Sequence, residues 1–236
     1  MDCYDWSTSR QQARDPEEFS LNQVTDVLWT LTERCNLDCA YCCVIPRAPD
    51  LRFDPSRRQV DRILRQLRTL RGLQSIVLSG GEAVLSPHIE HVLSQLSTLM
   101  LCTYVITNGS TIHSKQKALF QRFQPRTMVS IDSLEECENA ITRGPDRLVT
   151  ATDTLRWLLD AGICTIVIIV LTRHNAGSIC KTILGLYDIG VRNILIQQLH
   201  CTSRAMSASY LEMLPTHAQI DSLSKFLALL RQERDD

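Results

Sequence analysis

Val27-Leu28-Trp29-Thr30-Leu31-Thr32-Glu33-Arg34-Cys35-Asn36-Leu37-Asp38-Cys39-Ala40-Tyr41-Cys42-Cys43 opens as an apolar run of strand length and ends in four cysteines. Cys35, Cys39 and Cys42 stand four and three residues apart on a loop just past the strand, a spacing that wraps one small inorganic cluster. Soft thiolates are the ligands that iron–sulfur clusters select. A four-iron cluster has four corners, so three cysteines leave one iron without a protein ligand. An open position is what a catalytic metal centre keeps and a closed structural site lacks. A structural zinc site completed by Cys43 or a distant histidine is the competing reading. Against it, adjacent side chains such as Cys42 and Cys43 diverge and do not easily reach one metal.

Outward from this loop the chain alternates strand-length apolar runs with stretches of helical periodicity. Strands are expected at Val27–Leu31, Ile76–Leu78, Tyr104–Ile106, Met128–Ile131, Thr165–Leu171 and Asn193–Ile196. Between them Val60, Ile63, Leu64, Leu67 and Leu70 mark one helix, and Ile89, Val92, Leu93, Leu96 and Leu99 another. Further helices are expected over Lys115–Phe123, Asp146–Ala161, Ile179–Tyr187 and Thr216–Arg231. Strands buried on both faces and linked by helices make an α/β fold with a parallel sheet and right-handed crossovers. Six units are too few for a closed eight-fold barrel. They fit a flat doubly wound sheet or an open one, and a partial (β/α)6 barrel of parallel strands with outer helices is the expected fold. Residues 1–22 read as an N-terminal arm, 23–236 as one core domain, and 202–214 as a loop before the last helix.

The 236 residues suffice for one domain with a full core, and 44% hydrophobic with 22% charged residues is an ordinary globular balance. A net charge of -1 gives no bias toward nucleic acid or an anionic membrane. No apolar run approaches the roughly 20 residues that span a bilayer. The polar N-terminus lacks the apolar core of a secretory signal. Ten cysteines, several inside apolar runs (Cys102, Cys164, Cys180), suit free thiols in a reducing compartment better than a disulfide framework. A cytoplasmic protein is expected.

Cys35, Cys39 and Cys42, with the aromatic Tyr41 before the third cysteine, resemble the signature loop of the radical S-adenosylmethionine (SAM) superfamily. Ser79-Gly80-Gly81-Glu82 is similar to that family's glycine-glycine-glutamate motif, although Ala83 stands where family members carry proline. Thr107-Asn108-Gly109, and Ser130-Ile131-Asp132 followed by Arg143-Gly144, resemble two later landmarks in the family's order. The resemblance covers roughly residues 25 to 200. It implies that Cys35, Cys39 and Cys42 bind a [4Fe-4S] cluster whose open iron takes the amino and carboxylate groups of SAM. Reductive cleavage of SAM then gives methionine and a 5′-deoxyadenosyl radical that abstracts hydrogen, the cofactor carrying the hard chemistry.

The resemblance further implies SAM contacts at Tyr41 (through its main chain), Gly80, Gly81, Glu82 (toward the SAM ammonium), Ser130 and Arg143 (toward the SAM carboxylate). Asn108 and Asp132 are candidates that plain turn or capping roles would also explain. Cys201, just past the last strand, is a candidate hydrogen donor or substrate contact, and Cys43 deserves mutation for its closeness to the cluster. A peptide or small metabolite is the expected substrate, with the subclass among oxidoreductases, lyases and transferases open. Arg58, Arg62 and Arg65 share one face of the first helix. That face is either simply solvated or a dock for an acidic flavodoxin- or ferredoxin-type electron donor. A non-catalytic iron–sulfur or zinc-binding partner subunit is the alternative from another class.

Overall fold

A computed structural model describes residues 24–42, 53–199 and 208–235. The expected arm over 1–22 lies outside the described residues, as do Cys43, His200 and Cys201. The β-branched run Thr165–Leu171 forms β5, and the other strands are β1 (Asp26–Thr32), β2 (Ser75–Gly80), β3 (Cys102–Thr107), β4 (Arg126–Ser130) and β6 (Ile194–Gln198). All neighbours pair in parallel in the order β1-β2-β3-β4-β5-β6. With right-handed crossovers, an order that never reverses puts every connection on the same side of the sheet. A doubly wound sheet needs a reversal; this one curves instead into a partial barrel with outer helices, and β1 and β6 are its edges.

The outward positions of the strands (Trp29, Leu31, Ile76, Leu78, Val105, Val129, Val167, Ile169) meet the helices in the main core. From the helices come Val60 and Leu64 of α1 (Arg57–Leu67), Val92 and Leu96 of α2 (Ile89–Leu96), and Phe120 of α3 (Ser114–Phe123). Leu155 and Leu158 belong to α5 (Leu148–Asp160), and Ile183 and Leu186 to α6 (Ile179–Ile189). Each such side chain contributes about 1.5–3 kcal/mol by leaving water. Inward positions form a smaller cluster of Tyr104, Met128 and Ile168, and Arg126 donates to the Tyr104 hydroxyl at 3.0 Å beneath it. That cluster packs the inner face of the sheet, with Ile168 also reaching a cavity beside the cysteine loop.

Two helices depart from the sequence expectation. The β4–β5 crossover carries α4 (Glu136–Arg143) ahead of α5, and α7 (Ala208–Met213) occupies part of the expected 202–214 loop before α8 (His217–Asp235). The buried residues of α4 are Asn139, Thr142 and Arg143, so apolar periodicity has nothing to detect there. The start of α1 matches its sequence closely: Ser56 and Gln59 form a reciprocal capping box, satisfying two of the orphan donors of the first turn.

Candidate active site

The cysteine loop, Gly80-Gly81-Glu82, Asn108-Gly109 and Ser130-Ile131-Asp132 sit at the C-terminal ends of β1, β2, β3 and β4, and Arg143 closes α4. Past β1 the chain turns through the cysteine loop, which carries the partly exposed side chains of Cys35, Cys39 and Cys42. The Leu37 N–H donates to Cys35 Sγ at 3.4 Å, and a tight turn is closed by Cys42 N–H to the Cys39 carbonyl at 3.0 Å. Burial pushes the Cys39 thiol up to about 11, against the pull of the Arg143 guanidinium; the other two cysteines lie near enough to add to the rise.

Past β2, Gly80 and Gly81 lie against the segment that leads into this loop. Gly81 donates to the Thr32 carbonyl at 2.8 Å and Glu82 to the Arg34 carbonyl at 2.7 Å. A Cβ on Gly80, whose φ is 144°, would stand 2.2 Å from the Thr32 oxygen, and one on Gly81 2.3 Å from the Arg34 oxygen. Both positions therefore exclude any side chain. The close approach that the Gly-Gly pair permits is to the cysteine loop's own root.

Glu82 turns its side chain into the protein, where it is 1% exposed, and its carboxylate accepts the Asn108 N–H at 2.7 Å. Burial raises its pKa from 4.5 to about 7, although hydrogen bonds from Asn108, Thr107, Val84 and Thr111 work to lower it. Asn108 in turn donates to Asn36 at 2.9 Å, and Asn36 donates to Ser110 at 2.8 Å. Glu82 thus ties the β2 and β3 loops together, and Asn108 carries the tie to the first half of the cysteine loop.

This burial predicts a pH-dependent stability. Below pH 4.5 Glu82 is protonated in both folded and unfolded chains and costs nothing. Between 4.5 and about 7 the unfolded chain releases its proton while the fold retains it, so stability falls as pH rises. The deficit levels off above that range at about 3 kcal/mol. Urea unfolding of the metal-free chain at about pH 5 and about pH 8 should show this loss in the wild type and not in Glu82→Gln. Parallel behaviour of the two proteins would contradict it.

Past β4 stands Asp132, fully buried, at the centre of a polar hub. Its carboxylate accepts from Tyr41 Oη at 2.6 Å, Thr142 Oγ1 at 2.7 Å and the Val170 N–H at 3.1 Å. Arg143 Nε lies 3.0 Å from the same carboxylate, and Arg143 Nη2 donates to Tyr41 Oη at 2.6 Å. Asn175 Nδ2 donates to the Asp132 carbonyl at 2.8 Å, locking the backbone as well. Burial works against the Arg143 charge, but Asp132, then Tyr41 and Cys39, hold its pKa above the ordinary guanidinium value. Burial likewise raises the Tyr41 phenol well above its usual range.

A cavity of about 430 Å³ opens beside the cysteine loop. Cys39, Cys42, Tyr41, Gly80, Ser130 and Arg143 line it, together with Leu28, Ile106, Ile168, Val170 and Leu199. Four of the eight SAM-contact candidates therefore reach the cavity wall, whereas Gly81, Glu82, Asn108 and Asp132 brace the loops around it. Arg143, expected to be available to a carboxylate ligand, has Asp132 as its partner. Sequence reasoning missed Ser79, Gln197 and Gln198 as lining residues. Their positions at the ends of β2 and β6 were the available signal, since ligands in parallel α/β sheets bind beyond the carboxyl ends of the strands.

The donor set fits an iron–sulfur cluster. Three thiols share one short loop, two of them on the cavity wall, and the segment leading into the loop is fixed by two glycine contacts that leave no room for a side chain. Among the described residues no group of three or more His, Cys, Asp and Glu side chains converges closely enough to hold a metal ion, so the fit rests on the soft thiolate chemistry of the three cysteines.

An α/β partial barrel with three loop cysteines beside a cavity at its C-terminal mouth defines a class of cluster-binding enzymes. The family model "Radical SAM superfamily" matches residues 29–184, and the chain belongs to that superfamily. It is 32% identical to a GTP 3′,8-cyclase of Mycobacterium marinum over 146 residues, 59% of this chain and 40% of the relative. A probable GTP 3′,8-cyclase of Pyrococcus horikoshii is 29% identical over 112 residues, 48% of this chain and 36% of the relative. The chain thus spans well under half the length of these curated relatives. Among solved structures, Streptococcus suis SuiB bound to S-adenosylmethionine superposes with a TM-score of 0.73 at 16% identity, over 89% of this chain and 48% of that one. SuiB is also solved bound to its precursor peptide SuiA. Membership implies a [4Fe-4S] cluster and SAM as cofactors. No helix among the described residues is long and apolar enough to cross a membrane.

Proposed function

We propose that residues 23–236 form one radical SAM core whose [4Fe-4S] cluster is held by Cys35, Cys39 and Cys42, and that it abstracts hydrogen from a peptide or small-metabolite substrate in the adjoining cavity. The observation that carries this reading is the placement of Cys39 and Cys42 on the wall of the cavity, at the mouth of the barrel. When bound, the cluster and SAM supply a carbon radical able to attack unactivated C–H bonds. The chain's own residues position the co-substrate and keep water out. Gly80 and Ser130 offer small, close walls, and Leu28, Ile106, Ile168 and Val170 an apolar floor.

The rest of the lining supports an uncharged substrate. Ser79, Gln197 and Gln198 are neutral hydrogen-bonding groups, and among the described lining residues the one cation, Arg143, is engaged by Asp132. Such a wall suits an uncharged segment such as a peptide better than a polyphosphate, which calls for unengaged basic groups. Protein reconstituted anaerobically with iron and sulfide should, with dithionite and SAM, release 5′-deoxyadenosine; none at all would end this reading. Deuterium moving from a labelled candidate into that product would name the substrate.

The reducing electron enters from a donor of flavodoxin or ferredoxin type. Arg58, Arg62 and Arg65 are exposed on α1 and supply a basic face for such an acidic partner. Reversing all three charges should slow reduction by an acidic donor about tenfold or more at low salt and leave reduction by dithionite unchanged. Unchanged rates with the protein donor would leave the face as plain solvated surface.

A further inference from the structure

We propose that Tyr41 is a positioning residue whose phenol hydroxyl fastens the cluster-binding loop to β4 and α4, so that Cys39 and Cys42 are held at the cavity before any metal arrives. The proposal rests on the cluster reading above and deepens it. An aromatic ring before the third cysteine would fill space whichever aromatic stood there. Tyrosine adds one atom, and that atom is fully used: it donates to Asp132 at 2.6 Å and accepts from Arg143 at 2.6 Å, partners 91 and 102 residues away. The Arg143 guanidinium also lies 5.7 Å from the centre of the Tyr41 ring.

One residue earlier, the Ala40 N–H donates to the Thr142 carbonyl at 2.8 Å, and Thr142 Oγ1 itself donates to Asp132. Two consecutive loop residues are therefore bonded to the last turn of α4, one through backbone and one through side chain. In the opposite half of the loop, the Asn36 bonds to Asn108 and Ser110 are exposed. Exposed bonds exchange with water and stabilise little, whereas the Tyr41 bond ends on a wholly buried carboxylate. Tyr41 is thus the deep anchor of the loop, and the cysteines on either side of it inherit its position.

The test uses full-length protein loaded with iron and sulfide, and reads the rate at which iron passes to a ferrous chelator. A hydrogen bond to a charged group has a strength that corresponds to roughly a ten- to a hundredfold change in rate. Tyr41→Phe, which keeps the ring, should release iron faster by that factor. Asp132→Asn weakens the same bond from the other side and should also accelerate release, and the double variant should be no faster than the faster single one. Leu96→Ala, a fully buried core change in α2, destabilises the fold without touching the loop and should release iron at the wild-type rate. Wild-type release from Tyr41→Phe, or equal acceleration by Leu96→Ala, would overturn the proposal while leaving the cluster reading intact. A wild-type protein that takes up no iron would remove the cluster reading, and this proposal with it.

Discussion

Cys39→Ala is expected to abolish both stable iron uptake and 5′-deoxyadenosine formation, with the product falling by at least about a hundredfold. Changes to the surroundings of a metal ligand typically cost ten- to a hundredfold, and loss of the ligand itself costs more. Cys39 is the middle thiol of the three, lies on the cavity wall, and feels the Arg143 charge. Two remaining cysteines would hold a cubane by half its corners. The matched control is Cys137→Ala, since Cys137 is an exposed thiol on α4 with no place in the loop. Iron and sulfide analysis beside product chromatography separates the two variants; equal loss in both, or full activity in Cys39→Ala, would contradict the assignment.

Asp132→Ala destabilises the fold by about 3–5 kcal/mol, the usual cost of stripping one partner from a buried ion pair. Asp132 is wholly buried and the Arg143 side chain is 8% exposed, so solvent cannot replace the lost carboxylate. The same change removes a buried acceptor from the Tyr41 and Thr142 hydroxyls and the Val170 N–H, all of which converge on that carboxylate. Denaturant unfolding followed by tryptophan emission measures the effect. A loss below about 1 kcal/mol would mean that the hub contributes no more than an exposed pair.

The hub also shows where sequence reading runs out. Strands such as Thr165–Leu171 and helices such as α1 announce themselves because apolar residues recur with the period of the element. The cysteine loop announces itself because its ligands are close in sequence. The bonds of Tyr41 to Asp132 and Arg143 have neither property: they span 91 and 102 residues, and no local pattern announces them. Helix α4 was hidden for a related reason, since the face it buries is Asn139, Thr142 and Arg143 rather than an apolar stripe. Glu82 was legible as part of a motif, but its inward direction was not. That direction depends on the β3 loop presenting the Asn108 N–H to it, a tertiary fact.

Seen from the fold, the division of labour is physical. The barrel puts six strand ends around one mouth, two glycines let the β1 and β2 extensions touch, and buried carboxylates at Glu82 and Asp132 clamp the loops on either side. What these devices hold in place is the cysteine loop, with Cys39 and Cys42 on the wall of the cavity. The most direct test is electron paramagnetic resonance of the dithionite-reduced, reconstituted protein with and without SAM. The g-values should shift on adding SAM, and SAM carrying a ¹⁷O-labelled carboxylate should broaden the signal, as the proposed binding of the co-substrate to an iron left open by three cysteines requires. A spectrum indifferent to SAM would contradict the account at its centre.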